Sequence, residues 1–351
     1  MKVLIMAGGT GGHVFPALAV AEILRAQSHD VVWMGTAAGL EARVVPQNRF
    51  PLETIEVQGL RSSGAGRLIR APLTLARALL QALRIVRRLR PAVVLGMGGF
   101  ASGPGGVAAW LLRRPLVVHE QNAAAGLTNR LLARLARRRL QAFPDALPGA
   151  TTVGNPVRES FAALPAPDAR MSGRAGPLRL LVVGGSQGAR ALNITVPAAL
   201  GRLPAGTYEV RHQGGRTVEA AEGAYADAGR QARIEAFIED MAEAYGWADL
   251  VVSRSGAMTV AELAAAGVAS ILVPFPSAVD DHQTRNAQHL VDAGAAVRVA
   301  ESALTPERLA GILSEHADRA RLLGMARAAR AAAAPDSGRR IADACLEVAS
   351  P

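Results

Sequence analysis

The chain has 351 residues, 50% of them hydrophobic and 19% charged, with a single cysteine and a formal net charge of +10. At roughly 100–200 residues per domain, the length points to two domains with cores of their own and excludes a disordered or collagen-like chain; Cys345, standing alone, can close no internal disulfide and build no Cys-rich zinc site, so a reducing cytosol is the expected compartment. The charge is uneven, with 19 Lys and Arg against 7 Asp and Glu in residues 1–157, and 20 against 22 in residues 158–351.

The first expected element is an apolar strand, Val3 to Met6, followed by GGTGGH (Gly8 to His13) and a helical run from about Pro16 to Gln27. Glycines interrupt the apolar run and Glu22 follows, so this N-terminus does not read as an export signal. VVWMG (31–35) is a second buried-type strand. Between Glu56 and Glu120 stand ten arginines and no acid, a field that attracts phosphates or anionic lipid head groups. Aromatics, at 4%, are too few for a base-stacking surface, which speaks against nucleic acid as partner. Within this stretch Pro72 to Arg90 has helical periodicity, with Pro72 read as a first-turn proline. Arg77, Arg84 and Arg88 share one stripe, while Leu79, Leu80, Leu83 and Val86 fill much of the remaining circumference. Such a helix either covers a core or rests on an anionic membrane. Arg61, Arg67 and Arg70 upstream, with Leu75 in the helix and Trp110, Leu111 and Leu112 beyond it, add weight to the membrane reading. Pro91 to Leu112 is uncharged and long enough to span a bilayer, but six glycines and Pro104 break it into a strand and a glycine loop.

Strands AVVLGMGG (92–99) and LVVHEQN (116–122) follow, and prolines crowding from Pro144 to Pro177 mark a domain boundary. The opening pattern then recurs as Leu180 to Val183, GGSQGAR (184–190) and a helical run from about Ala191. Two more buried-type strands are DLVVSRSG (249–256) and ASILVPFP (269–276). Near-continuous apolar runs bounded by glycine fit parallel sheets covered on both faces, and the duplication indicates two similar α/β domains.

A glycine turn after a parallel strand lets the backbone approach an anion, which the next helix's N-terminal amides receive. Neither turn fits GxGxxG with its following acid or a P-loop, which disfavours NAD enzymes and P-loop ATPases. In SRSGAMTVAE (253–262) a helix is expected to open near Thr259, with Glu262 in its first turn. That carboxylate either caps its own helix or accepts hydrogen bonds from a ribose. Of Asp280, Asp281, His282 and Gln283, the two acids and the histidine resemble metal ligands in type, but adjacent positions rarely converge on one ion. His119 and Glu120 lack the second histidine of HExxH, and the sequon at Asn193 carries little meaning without an export signal.

The segments 8–19, 59–61, 94–110, 119–130, 153–158, 182–190, 254–267 and 280–287 closely resemble the MurG family of bacterial N-acetylglucosaminyltransferases, in order and over nearly the whole chain. The resemblance implies a GT-B architecture, two Rossmann-like domains with parallel sheets facing across a cleft: an acceptor and membrane domain, 1–157, rejoined by a C-terminal helix, 336–351, and a UDP-N-acetylglucosamine domain, 158–335. By that resemblance Ser186 and neighbouring amides hold the donor diphosphate, Ile238 the uracil, the backbone of Ala257, Met258, Thr259, Val260 and Ala261 the nucleotide, and Glu262 the ribose. Gln283 contacts the sugar with His282 beside it, and Thr10, Gly11, Gly12, Asn122 and Arg158 complete the donor site. Gly8, Gly9, Gly98, Gly99, Ser102 and Gly103 face the acceptor's diphosphate. Arg70, Leu75, Arg77, Leu79, Arg84 and Trp110 rest on the anionic inner leaflet, at the cytoplasmic face of the membrane.

The implied reaction is an inverting displacement by the 4-hydroxyl of lipid-linked N-acetylmuramoyl-pentapeptide. His13 is the first candidate base and Glu120 the second. No DxD pair occurs, so no metal cofactor is expected. Wall-synthesis and division proteins are the implied protein partners. Phe100 departs from the GGY of some relatives. A UDP-N-acetylglucosamine 2-epimerase and a non-catalytic nucleotide-sugar-binding protein are the alternatives.

Overall fold

Residues 1–57, 65–185 and 188–349 are described by the computed structural model, without the side chains of residues 65–71 and 279. Expectations for Arg61 and Ser186, and for the side chains of Arg67 and Arg70, lie outside what is described. Two units divide the chain: Met1–Val157 with Ala334–Pro351, and Arg158–Ala333.

In the first unit the apolar runs form β1 (Lys2–Met6), β2 (Asp30–Gly35), β3 (Leu52–Thr54), β4 (Val93–Gly96), β5 (Leu116–Glu120), β6 (Arg138–Gln141) and β7 (Thr151–Thr152). They pair in parallel in the order β3-β2-β1-β4-β5-β6-β7. Side-chain alternation splits β1 between two cores. Val3 and Ile5 join the core under helices Gly11–Ala26 and Ser337–Ala349. Leu4 and Met6 join the core on the opposite face, under helices Ala65–Leu89 and Ser102–Leu111. In the second unit β8 (Leu178–Val183), β9 (Tyr208–Gln213), β10 (Arg233–Glu235), β11 (Leu250–Ser253), β12 (Ala269–Leu272) and β13 (Ala296–Arg298) form another all-parallel sheet, ordered β10-β9-β8-β11-β12-β13. Strand order reverses beside β1 and again beside β8. In a doubly wound sheet this leaves a crevice at the carboxyl ends of β1 and β4, and of β8 and β11.

Three helices begin earlier than their sequence signals. Helix Gly11–Ala26 starts before the expected Pro16, which lies inside it with its ring buried. Helix Ala65–Leu89 likewise contains Pro72 in its interior. Proline was read as a first-turn residue, yet an interior proline removes only one backbone bond, which burial of the helix can outweigh. Helix Ala257–Ala266 opens directly after Gly256, so Glu262 lies in its second turn, where it does not cap that helix's first amides.

The helix Ala65–Leu89 also corrects the expected split into a basic and an apolar side. Ala78, Ala82, Ile85 and Val86 are buried, and Leu79 and Leu83 pack against the same core. Leu79 therefore belongs to the fold. The exposed stripe instead mixes Leu73 and Leu80, both more than half exposed, with Arg77, Arg84 and Arg87. Arg88 is paired with Glu53 at 2.6 Å.

Helix Ser337–Ala349 packs on helix Gly11–Ala26 and against β4, β5 and β6, burying Ile341, Ala342, Cys345 and Val348. Ser337 Oγ donates to the Asn155 carbonyl at 2.7 Å. Ile341→Ala should lower the stability of the first unit by about 2–5 kcal/mol. Urea unfolding followed through Trp33, with Trp110 and Trp247 replaced by Phe, measures this; an unshifted midpoint would show the helix to be dispensable.

Candidate active site

The first unit's candidate residues gather at the carboxyl ends of β1, β4 and β5. The loop after β1 and the loop after β4 touch backbone to backbone. Gly99 has φ +86°, and a Cβ there would collide with the Gly8 backbone; at Gly98, φ +93°, it would meet the His13 ring at 2.7 Å. Thr10 is the N-cap of helix Gly11–Ala26 without a side-chain cap bond, and the first turn contains no acid. Gly11, Gly12 and His13 thus form a first turn whose dipole favours an anion.

Several predicted ligands are committed to the fold. The Gly9 N–H donates to Glu41 Oε2 at 2.9 Å, while Glu41 Oε1 accepts from the Thr36 N–H and hydroxyl at 2.8 and 2.7 Å. Glu41 is fully buried and lies against Gly8, so a carboxylate already occupies the Gly9 amide. Ser102 is also fully buried, its Oγ 2.7 Å from the Gly98 carbonyl and 3.0 Å from that of Met6. It braces the loop and is not available to a ligand, a correction to its expected acceptor contact. Gly103 is partly exposed beside Thr128.

Glu120 is likewise engaged by the fold. It is buried, and its oxygens accept from the Asn122 N–H at 2.9 Å, Asn122 Nδ2 at 3.2 Å, the Gly126 N–H at 3.2 Å and Asn129 Nδ2 at 2.8 Å. A carboxylate accepting from four donors organises the 122–129 loop. His13 is partly exposed, with Nδ1 2.9 Å from Gln121 Oε1. Gln121 Nε2 lies 3.0 Å from His119 Nδ1 and 3.1 Å from the His119 carbonyl, and His119 Nε2 lies 2.9 Å from the Gly154 carbonyl. Burial pushes His119 down to about 4, against the opposing Gly154 hydrogen bond.

In the second unit the candidates gather at the ends of β8 and β11. Gly185 has φ +80° and, among the described residues, nothing within 4 Å of where a side chain would stand, whereas Gly188 packs against the Gly214–Gly215 turn. Asn193 secures that turn, its Nδ2 donating to the Gly214 carbonyl at 2.9 Å and the Thr217 carbonyl at 2.8 Å. Its Oδ1 lies 3.0 Å from His212 Nε2. The Ile238 N–H donates to Gln213 Oε1 at 3.2 Å, and Ile238 is buried.

Helix Ala257–Ala266 follows β11 with Gly256 as N-cap, no side-chain cap and no acid in its first turn. Ala257 and Val260 are buried, and Met258, Thr259 and Ala261 are partly exposed. At its other end Arg170 donates to the Ala266 and Gly267 carbonyls and Arg330 to that of Ala265, so the negative pole is covered by two guanidiniums. Glu262 is partly exposed at its rim but closely surrounded; burial pushes its carboxyl up to about 7, opposed by the Arg158 charge. Arg158 is exposed, with its guanidinium 4.9 Å from the Phe161 ring centroid. Gln283 Oε1 accepts from the Phe275 N–H at 2.9 Å, and its carbonyl accepts from Ser255 Oγ at 2.9 Å. His282 opens helix His282–Asp292 behind Asp280 and Asp281, both left-handed. Among the described residues no group of three or more His, Cys, Asp or Glu is placed to hold a metal ion.

An open glycine turn beside an uncapped helix N-terminus, with a carboxylate one turn further on, can hold a diphosphate and a vicinal diol. Sequence reasoning gave no role to Glu41, Gln121 and Gln213 and read Asn193 only as a sequon. Each is a buried polar residue with at least one partner far away in sequence, Gly9, His13, Ile238 and His212 respectively.

The glycosyltransferase family 28 N-terminal domain matches residues 3–141, and the glycosyltransferase family 28 C-terminal domain residues 179–341. A protein of Alkalilimnicola ehrlichii named UDP-N-acetylglucosamine--N-acetylmuramyl-(pentapeptide) pyrophosphoryl-undecaprenol N-acetylglucosamine transferase is 59% identical over 354 residues, covering 99% of each chain. A Nitrosococcus oceani protein of the same name is 56% identical, covering 100% of this chain and 99% of its own. The crystal structure of Acinetobacter baumannii MurG matches with a TM-score of 0.88 at 42% identity, over 99% of each chain.

The raised Glu262 carboxyl has a stability consequence. Its ordinary value is 4.5 and its folded value about 7, so the folded state binds the extra proton and the group's contribution is lost as pH rises through that interval. Glu262→Gln should therefore raise the urea midpoint of the second unit at about pH 8 and leave it little changed at about pH 4. Equal shifts at both pH values would show that burial does not perturb the carboxyl.

Proposed function

The chain belongs to glycosyltransferase family 28, and we propose that it transfers N-acetylglucosamine from UDP-N-acetylglucosamine to the 4-hydroxyl of undecaprenyl-diphospho-N-acetylmuramoyl-pentapeptide in peptidoglycan synthesis. The observation that carries this reading is 59% identity, over 99% of both chains, to a protein named for that transfer. The 2-epimerase and the non-catalytic alternatives are not favoured by that name, and the fold is GT-B.

The second unit binds the donor. Its diphosphate lies by Gly184 and Gly185 and the amides of helix Ala257–Ala266, and Glu262 accepts from the ribose hydroxyls. Ile238 faces the uracil, and Gln283 presents its Nε2 to the sugar, since its Oε1 is held by Phe275. The first unit presents the acceptor beside Gly98, Gly99 and Gly103, with the first turn of helix Gly11–Ala26 toward a diphosphate. His13 takes the proton of the 4-hydroxyl as that oxygen attacks the anomeric carbon. The bond from that carbon to the UDP oxygen breaks, and UDP leaves with inversion. Charge on the departing diphosphate is met by oriented amides, a helix N-terminus and Arg158, with no metal required.

The face for the membrane is the exposed stripe of Leu73, Arg77, Leu80, Arg84 and Arg87 with Trp110 and Leu111, 51% and 50% exposed on the neighbouring helix Ser102–Leu111. Among the described residues no helix is long and apolar enough to cross a membrane. A mixed Leu and Arg face suits shallow contact with an anionic leaflet.

UDP release in EDTA should require a short-chain lipid-linked acceptor and yield the disaccharide. Sugar isomerisation, or release without acceptor, would overturn the transfer, and activity abolished by EDTA alone would overturn metal independence. Co-sedimentation with vesicles should rise with anionic lipid and fall with salt, more weakly in Arg77→Gln/Arg84→Gln; indifference to lipid charge would remove the membrane face.

A further inference from the structure

Two backbone carbonyls fix the direction of the hydrogen bonds that end on His13. A carbonyl oxygen only accepts. His119 Nε2, 2.9 Å from the Gly154 carbonyl, must therefore be the protonated nitrogen, and neutral His119 leaves Nδ1 as an acceptor. The Gln121 amide is set independently, because its Nε2 lies 3.1 Å from the His119 carbonyl, where its Oε1 would meet another oxygen. Its second N–H then points at His119 Nδ1, at 3.0 Å, and Oε1 is left facing His13 Nδ1 at 2.9 Å. An oxygen there accepts a hydrogen bond only from a protonated Nδ1.

We infer that His119 and Gln121 are positioning residues that hold His13 as its Nδ1–H tautomer, so that Nε2 keeps the lone pair that takes the acceptor's proton. The inference deepens the proposed role of His13 as base and rests on that reading. Burial keeps His119 neutral at working pH, which preserves the sense of the chain. The same Oε1 accepts from Nδ1–H before and after His13 gains the proton on Nε2, so the ring need not turn during the reaction. The relay is anchored further by Asn155 Nδ2, which donates to the Gln121 carbonyl at 2.9 Å. Gly98 leaves room for the ring beside the loop.

The test uses the full chain labelled with 15N-histidine, with the His13 resonances identified by their loss in His13→Gln. Neutral His13 should show a proton-bearing Nδ1 and an unprotonated Nε2; the opposite tautomer would overturn the inference. Gln121→Met, which keeps the volume and removes the oxygen, should lower kcat about 10- to 100-fold with little change in donor KM. Gln121→Glu keeps an acceptor toward His13 and adds a charge but sets a second oxygen against the His119 carbonyl, so it should recover only part of that loss and move the acid limb of the kcat/KM profile up by about one pH unit. A wild-type kcat and pH profile in both variants would overturn the positioning role. Undiminished kcat in His13→Gln, with the Nδ1–H tautomer present in the parent, would instead defeat the assignment of His13 as base while supporting the tautomer lock.

Discussion

Everything at the candidate residues of each unit depends on the reversal of strand order, beside β1 in one sheet and beside β8 in the other. Crossovers leave in opposite directions at such a point, so no connection covers the strand ends between them. Backbone amides at those ends have no strand to pair with, and a helix N-terminus adds further unpaired donors. The glycines are consequences of this constraint. They appear where two backbones approach too closely for a Cβ, as at Gly8 and Gly99, or where a turn must stay open, as at Gly185.

The two units settle the resulting positive potential differently. In the first, two buried carboxylates, Glu41 and Glu120, are spent on loop amides and side-chain amides, which fixes loop shape at the expense of some anion-binding donors. The remaining charge is arginine on the surface. In the second, Arg170 and Arg330 cover the carboxyl end of helix Ala257–Ala266, and its amino end is left uncapped. There Glu262 is the acid held at an energetic cost, and a group kept in that condition is poised to respond to a bound diol or cation.

Much of this was legible in the residues. Near-continuous apolar runs gave the parallel strands, and the repeated glycine turn located both switch points before any topology was known. Proline was a poor guide to helix starts, because Pro16 and Pro72 lie in helices whose burial outweighs one missing bond. Hydrophobic periodicity on helix Ala65–Leu89 left open whether a core or a membrane covers its apolar side, and the resemblance placed Leu79 on the membrane, since amphipathicity specifies a stripe and not the neighbour that covers it. Ser102 and Glu120 looked like ligands by type and motif. Their burial, and the partners that consume their lone pairs, are products of tertiary packing. The same is true of Gln121, whose bond to His13 spans 108 positions.

Helix Ser337–Ala349 closes the core of the first unit, yet it follows the whole of the second unit in the chain. Through Ser337 and Asn155 it also braces the backbone at Gln121. During synthesis the first unit therefore emerges without one of its layers and must wait, with β4 to β6 uncovered on that face, while the second unit is translated and folds. Nascent chains of this protein would spend that interval as a foldable second unit joined to an incomplete first one, the form most exposed to chaperones and proteases. A ribosome that stalls near the end leaves the second unit intact and the backbone at Gln121 without that brace.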